Sequence, residues 1–238
     1  MNISAKNIDF RELNQQIRLS DSDVCIDDCY GQRFIGSGLR DKTLTINGTP
    51  GNALGAYLDG GIIEVKGNAQ DAVGDTMNDG KIVIHGSAGD ALGYAMRGGA
   101  IYVRDNAGYR TGIHMKEYRD KKPVIVIGGS VGSFLGEYLA GGLIIVLGIG
   151  SDDIPLGNFT GTGMHGGKIF IRTEKEPTGL PSQVMATVAS EEEMHEITPY
   201  IAEFSGCFGM DAEALGRDRF YVLKPNAKNP YKQLYTTN

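Results

Sequence analysis

A 19-residue repeat fills the middle of this chain and constrains its fold more than any other feature. Thr49 to Asp105 divides into three lines of 19 residues, TPGNALGAYLDGGIIEVKG, NAQDAVGDTMNDGKIVIHG and SAGDALGYAMRGGAIYVRD, whose columns agree. Tyr30–Gly48 and Ser130–Gly148 are two further units, whereas 106–129 and 149–173 carry five and six additional residues. A fixed period of this size is the signature of a repeat architecture.

The seventh position of the repeat is glycine in six of the units. A glycine that recurs once per unit predicts a backbone position with positive φ, or one that neighbouring units approach closely. We therefore interpret these glycines as structural. They are Gly36, Gly55, Gly74, Gly93, Gly112 and Gly136.

An apolar alternating run follows in each unit, as in Ile63/Val65 and Ile82/Ile84. This alternation predicts a short strand with one buried face. A helix cannot join such closely spaced strands, because a βαβ unit needs about 30 residues, so each strand stacks on its equivalent in the next unit. We predict an all-β fold, a right-handed parallel β-helix (a single-stranded solenoid) of about seven 19-residue coils with short helical caps at both ends. A left-handed β-helix would require a six-residue sub-period, and a sandwich would not keep a fixed period.

Short segments flank the repeats on both sides. Ile8–Leu19 is a predicted helix capped by Asp9, and Ser190–Phe204 is a second one that begins with a capping box. Both are interpreted as covers for the solenoid ends, with partner docking as the alternative role of the first helix. Arg219–Pro225 is a predicted strand. The expected divisions are an N-terminal helix and cap over 1–29, the β-helix over 30–173, and a linker, helix and tail over 174–238.

Composition and charge exclude several classes of protein. The 238 residues carry a net charge of −6 with acids and bases interspersed, which leaves no basic face for nucleic acid. The longest apolar run is well below the roughly 18 residues of a membrane span, and the opening MNISAKNIDF lacks the features of a signal peptide. Three scattered cysteines do not make a disulfide scaffold. We expect a cytoplasmic protein that binds neither nucleic acid nor membrane.

The sequence predicts no catalytic, cofactor-binding or metal-binding residues. Cys25 and Cys29 have no further ligands nearby, so buried free thiols are expected. Gly161–Gly166 matches G-x-G-x-x-G, but a strand follows it at once instead of the helix that a dinucleotide site requires. Asp152 and Asp153 are adjacent, and no acidic column recurs that could form the carboxylate pair of a glycosidase.

The insertion that begins at His114 is the predicted partner-binding region. An insertion into one unit of a solenoid projects as a loop from one face, often the binding face. A solvated loop without a partner is the alternative. The interface candidates are His114, Lys116, Glu117, Tyr118, Arg119 and, in the last unit, His165.

Several repeats, among them GNALGAYLDGG, GDALGYAMRGG and GTGMHGG, and the ending RFYVLKP resemble the glycine-repeat (GXGXG) domain at the C-terminus of the glutamate synthase large (alpha) subunit. The segment DFRELNQQIR is similar to the start of stand-alone versions of that domain. A more distant resemblance is to the β-helical subunit of formylmethanofuran dehydrogenase. The resemblance covers nearly the whole chain.

This resemblance implies a non-catalytic structural subunit of a split glutamate synthase-like oxidoreductase complex that serves glutamate synthesis and ammonia assimilation. The implied partners are an amidotransferase chain and a synthase chain that carries FMN and iron–sulfur clusters; no cofactor is expected in this chain. Equivalent subunits of N-methylglutamate synthase or formylmethanofuran dehydrogenase are alternatives. So is a free-standing β-helix that binds a ligand or cleaves carbohydrate. Self-association of the chain is left open.

Overall fold

Successive coils of a parallel β-solenoid form the body of the protein. The computed structural model describes residues 1–226, so the C-terminal part of the expected tail lies outside the described residues. Within this range the elements are β1 (Asn2–Ser4), α1 (Phe10–Leu19), β2 (Val24–Tyr30), β3 (Thr43–Thr49), β4 (Asp59–Val65), β5 (Asp79–Ile84), β6 (Ala100–Val103), β7 (Val124–Ile127), β8 (Ala140–Val146), β9 (Gly166–Arg172), β10 (Val184–Val188), α2 (Glu191–Phe208), α3 (Ala212–Arg217) and β11 (Phe220–Pro225).

One long sheet runs along the solenoid. Strands β1 to β9 pair in chain order and are parallel, and β11 followed by β10 extends the sheet in antiparallel pairing. Adjacent strands in such a sheet lie about 4.8 Å apart, so equivalent side chains of successive coils stack directly on one another. One interior ladder consists of Val24, Leu44, Ile63, Ile82, Ile101, Ile125, Ile144 and Ile169, all of them buried.

The prediction of an all-β parallel β-helix is confirmed. The solenoid has about eight turns rather than about seven. The difference arises because β2 already pairs with β3 in the parallel ladder, one turn before the first recognisable repeat. The irregular sequence of that turn hides it from a search for the period.

Backbone geometry explains the recurring glycine. The six position-seven glycines have φ between 63° and 71°, a left-handed conformation that costs other residues about 1–2 kcal/mol. Space is restricted as well: a Cβ added at Gly93 would lie 2.4 Å from Cδ1 of Ile125 in the next coil. Each coil therefore turns tightly over the strand of its neighbour.

Helix α1 covers the N-terminal end of the solenoid interior. Asp9 caps it by accepting a hydrogen bond from the backbone N–H of Arg11. Leu13 and Ile17 join the interior core, and Asn14 accepts from the backbone N–H of Gly36 through Oδ1 at 3.1 Å. The helix thus seals the first coil and satisfies one of its backbone donors.

Helix α2 lies elsewhere than expected, against the outer face of the sheet instead of across the C-terminal end. Its capping box, Ser190 with Glu193, is present, and the helix continues to Phe208. Ile197, Ile201 and Phe204 pack in a second core with outward-facing sheet residues. Those sheet residues are Val83, Tyr102, Val126, Ile145 and Phe170.

The physical reason for this placement is that β7 and β8 are apolar on both faces. Strands buried on both sides are continuous apolar runs rather than alternating ones, as in VIVI and LIIV. The outer face therefore needs a cover, which α2 provides. The C-terminal end of the interior is closed by Val184 of β10 and Leu223 of β11, which belong to the interior core. No helix within residues 1–226 is both long and apolar enough to cross a membrane.

Candidate partner-binding surface

Stacked ring side chains line the edge of the solenoid on either side of the position-seven glycines. Three ring side chains from successive coils stack along it. Tyr94 meets His114 edge-on with ring centroids 5.9 Å apart, and His114 lies parallel to Tyr138 at 5.1 Å. The ring of Tyr138 in turn covers Gly163, where an added Cβ would lie 2.4 Å from the ring. The stack therefore spans four coils.

A second stack runs beside the first at position five of the repeat. Phe134 and Phe159 are stacked with ring centroids 5.0 Å apart. The guanidinium of Arg110 lies 5.0 Å from the ring centroid of Phe134, and its Nε donates to Oε2 of Glu137 at 3.0 Å. We call the two stacks together the aromatic edge: Tyr94, Arg110, His114, Phe134, Glu137, Tyr138 and Phe159.

Most of the aromatic edge is open to solvent. Phe159 is 58% exposed, Tyr94 40% and Tyr138 37%. Aromatic side chains are enriched at protein–protein interfaces, where they supply large contact areas at low conformational cost. Contiguous exposed apolar side chains mark an interaction surface far more often than single ones do.

The insertion loop folds back on the solenoid. Tyr118 and Lys121 exchange backbone hydrogen bonds and close a tight turn. Lys121 Nζ lies 2.9 Å from a carboxylate oxygen of Asp79 and 3.6 Å from one of Asp59. The hydrogen bond from Lys121 is the largest influence on the pKa of Asp79 and lowers it. The loop is thereby tied to earlier coils.

The predicted interface residues separate into distinct positions. His114 belongs to the aromatic edge, and His165 borders it with Nδ1 3.1 Å from the carbonyl oxygen of Gly163. Glu117 accepts from the backbone N–H of Gly142 at 3.2 Å. The three other candidates, all in the loop, are exposed: Lys116, Tyr118 and Arg119.

Sequence reasoning missed most of the aromatic edge. Its members come from repeat positions five, eight and nine, where other coils have small residues such as Ala91 and Ala95. Rings at these outward positions, coil after coil, were a readable signal. The insertion predicted a binding loop, whereas these rings lie in the regular coils.

Helix α2 is held to the sheet by three acidic side chains. Glu196 pairs with Lys122 and Lys168, whose Nζ atoms lie 2.6 and 2.7 Å away. Glu203 accepts from Lys81 at 3.0 Å and from the hydroxyl of Tyr102 at 2.6 Å. The third glutamate is Glu193, which accepts from Lys224 at 2.7 Å. A shallow cleft of about 410 Å³ opens between this helix and the sheet.

Burial and hydrogen bonding act in opposite directions on these carboxylates. Burial raises the pKa of each, but the hydrogen bonds and positive charges of their partners outweigh it and leave the pKa below its usual value of 4.5. The glutamates are therefore ionised near neutral pH. We call this set of ion pairs the α2 clamp: Glu193, Glu196 and Glu203 with Lys81, Lys122, Lys168 and Lys224.

The remaining polar features lie apart from the aromatic edge. Burial raises the pKa of the Cys29 thiol to about 11, which makes it a poor nucleophile, and Cys25 is half-buried. Asp153 pairs with Lys175 at 2.9 Å. Gly166, the last residue of the G-x-G-x-x-G match, is also the first residue of β9. Residues 1–226 contain no group of three or more His, Cys, Asp or Glu side chains placed to hold a metal ion.

Comparison with known proteins finds a relative of similar sequence and a solved structure of the same fold. The uncharacterized protein MJ1350 of Methanocaldococcus jannaschii is 45% identical over 251 aligned positions, which cover 98% of this chain and 95% of that protein. The X-ray structure of the formyltransferase/hydrolase complex FhcABCD from Methylorubrum extorquens, with methylofuran, contains a chain of the same fold. Its TM-score is 0.63 at 22% identity, over 85% of this chain and 73% of that chain.

The family itself is defined by the GXGXG motif. Its match extends over residues 14–221, from within α1 to within β11, and so includes the coils together with α2 and α3. This agrees with the predicted resemblance to the glycine-repeat domain. The chain is a member of the GXGXG motif family.

Proposed function

We propose that this chain is a non-catalytic structural subunit of a split glutamate synthase-like complex. An amidotransferase chain and an FMN/iron–sulfur synthase chain would carry the chemistry, and the solenoid would hold them together for glutamate synthesis. The observation that carries the proposal is the family match over residues 14–221. The resemblance behind it is to the glycine-repeat domain of the glutamate synthase large subunit, which itself carries neither activity.

The surface of the solenoid supports this role. A stacked-coil body is a rigid, extended scaffold whose flat sides suit the binding of large partners. A protein–protein interface of standard size involves about 20–30 residues a side, and the aromatic edge with its flanking residues spans several coils of that surface. Exposed rings stacked over consecutive coils provide anchors of the type that dominate binding energy.

A second candidate is the equivalent structural subunit of a one-carbon complex. The observation that favours it is the fold shared with a chain of the formyltransferase/hydrolase complex from Methylorubrum extorquens. The proposed role is the same, a scaffold that carries no chemistry itself, but the partners would be formyl-transfer subunits.

Purification of the tagged chain from its native cell tests both candidates. For the first, we expect an amidotransferase chain and a flavin-containing chain to co-purify, with glutamine-dependent conversion of 2-oxoglutarate to glutamate in the complex. We expect no such turnover with the chain alone. Recovery of formyl-transfer subunits would support the second candidate and reject the first. Recovery of the chain without other subunits, at low salt and after gentle cross-linking, would reject both.

A further inference from the structure

Positions five and nine of every coil are left-handed, but the fold does not require the bulky side chains that the aromatic edge places there. His114, Tyr138, Phe134 and Phe159 have φ of 56°, 53°, 63° and 61°. Bulky side chains rarely adopt this left-handed conformation, because Cβ then crowds the following carbonyl oxygen. Other coils show that small residues fit the equivalent positions, among them Gly38, Gly163, Ala53, Ala72, Ala91 and Ala95, although Phe34 and Tyr57 are also bulky residues in this conformation.

Burial does not compensate for this strain. Phe159 and Tyr138 are 58% and 37% exposed, so the interior of the solenoid is complete without their rings. Residues held in disfavoured conformations concentrate at sites where the strain serves binding or catalysis. Rings that cost conformational energy and add little to the core are therefore best explained by what they contact outside the chain.

The charges around the edge are predominantly negative. Asp71 and Asp90 are exposed at position four of their coils, and Asp75 and Glu137 occupy position eight. At positions four, five, eight and nine of the coils from Asn52 to Gly163, Arg110 is the one arginine or lysine, and it already pairs with Glu137. A surface of rings and carboxylates favours a cationic partner.

Arg110 itself shows how such a partner would bind. Its guanidinium lies over the ring of Phe134 while its Nε donates to Glu137. Guanidinium groups both stack on aromatic faces and form directed hydrogen bonds to carboxylates, which lysine ammonium groups do less well. Asp75 and Tyr94 occupy position eight of adjacent coils, about 4.8 Å apart along the stack, and offer the same two contacts to an arginine from outside.

We propose that the aromatic edge, together with Asp71 and Asp90, docks an arginine-bearing surface of a partner subunit. This proposal rests on the proposed function, because it names the surface through which the scaffold holds one of its partners. The arginines would stack on Tyr94, Tyr138 and Phe159 and pair with the aspartates.

Two kinds of variant separate binding from folding. Tyr138→Gly removes a stacked ring and also relieves the left-handed strain. We expect a melting temperature equal to or above that of the unmodified chain. Binding should be about 30-fold weaker, the loss typical of an interface hot spot.

Asp71→Asn with Asp90→Asn removes two charges. The Asn Oδ1 can keep accepting the backbone N–H bond that each aspartate Oδ1 accepts now, just as Asn52 does in the preceding coil. Tyr30→Ala, at an 88% exposed ring outside the aromatic edge, is the matched control.

The measurement is the dissociation constant between each purified variant and the subunits that co-purify with the unmodified chain, at two salt concentrations. We expect weaker binding for Tyr138→Gly, a smaller salt dependence for the aspartate variant, and no change for Tyr30→Ala. A photo-crosslinker placed at position 94 should mark a partner peptide that contains arginine.

Each alternative outcome has a defined meaning. Unchanged binding of both edge variants to an intact complex would overturn this inference and leave the proposed function standing. Cross-linking of position 94 to a second copy of this chain would also overturn it. If the unmodified chain binds no other subunit, the proposed function fails, and the inference fails with it.

Discussion

At the scale of single residues, a small set of backbone conformations shapes the solenoid. Position seven of the repeat is left-handed and tightly packed, which suits glycine alone. Positions five and nine are also left-handed, for instance at Ala91 and Ala95 with φ of 55° and 51°, but they face outward and accept a side chain at the cost of strain. The same local geometry therefore imposes glycine on the inside of the turn and leaves room for variation on its outside.

Gly93→Ala should destabilise the protein by about 2–4 kcal/mol, because the added Cβ combines left-handed strain with overpacking against Ile125. Urea unfolding followed by circular dichroism measures this loss. Ala95→Gly, two residues away, is the matched control, and its relief of strain should leave stability unchanged or raise it by up to about 1 kcal/mol. Equal losses from both substitutions would contradict this account of position seven.

At the scale of elements, α2 is the segment whose position most depends on side-chain chemistry. Its apolar side contributes Phe204, which is fully buried and lies against Gly128 of the β7 coil, where an added Cβ would come within 2.9 Å of its Cζ. Its acidic side forms the α2 clamp. Burial of apolar side chains provides most of the free energy that holds α2 against the sheet. The ion pairs determine which side of the helix faces the sheet.

Phe204→Ala should cost about 3–5 kcal/mol, the range for deleting a buried aromatic ring. The cavity would lie between α2 and the sheet, so hydrogen exchange should accelerate in β6 to β8 and α2 more than in α1. Ala202→Gln, two residues away at an exposed position of the same helix, should leave both stability and exchange nearly unchanged. Uniform acceleration along the chain would show that α2 is not a separate cover.

The α2 clamp should weaken in acid. The glutamates have a pKa lowered below 4.5 in the folded protein, so their pairing stabilises the fold above that pH. The contribution is lost as pH falls through the folded-state pKa values. We expect increased binding of a hydrophobic dye below about pH 4.5, as α2 loosens and uncovers the outer face of the sheet.

The control for the acid transition is Glu196→Gln, which should have a shallower dependence of stability on pH because one titrating carboxylate, with its two ion pairs, is gone. A dye response with the same midpoint and slope in that variant would place the acid sensitivity elsewhere.

At the scale of the whole molecule, the solenoid is a stack of nearly equivalent coils. Each coil contacts mainly its neighbours, so total stability is approximately a sum of coil and interface contributions. The interior ladder continues without a break from β2 to β9, and α2 covers only the later coils. The earlier coils should therefore tolerate changes in number.

Deletion of residues 49–67, one complete 19-residue coil, should give a folded protein with a lower melting temperature, because every remaining strand keeps its register. Deletion of only 49–58 should prevent cooperative folding, since it leaves an incomplete coil that cannot align with its neighbours. Circular dichroism and thermal unfolding measure whether each shortened chain folds cooperatively and at what temperature it melts. Folding of both shortened chains, or of neither, would contradict a coil as the unit of the structure.

Much of the fold was predictable because position within the period decides burial. Ile63 and Ile82 are 19 residues apart and stack in the same ladder, as the repeat requires. The turn formed around β2 was missed because its residues do not follow the pattern. The aromatic edge was missed for a different reason: Tyr94 is at position eight whereas His114 and Tyr138 are at position nine, and the three rings meet only after the coils stack.

The sequence by itself determined the solenoid and its interior, because a strict 19-residue period brings the same positions of successive coils together whatever lies outside them. Only the tertiary structure decided which segment covers the outer face of the sheet and which side chains meet on the surface of the solenoid. Helix α2 sits on the outer face of the sheet through contacts such as Lys81 with Glu203, which are 122 residues apart and follow no repeat. The aromatic edge likewise forms only in the packed coils, where rings from positions five, eight and nine of successive coils come within stacking distance.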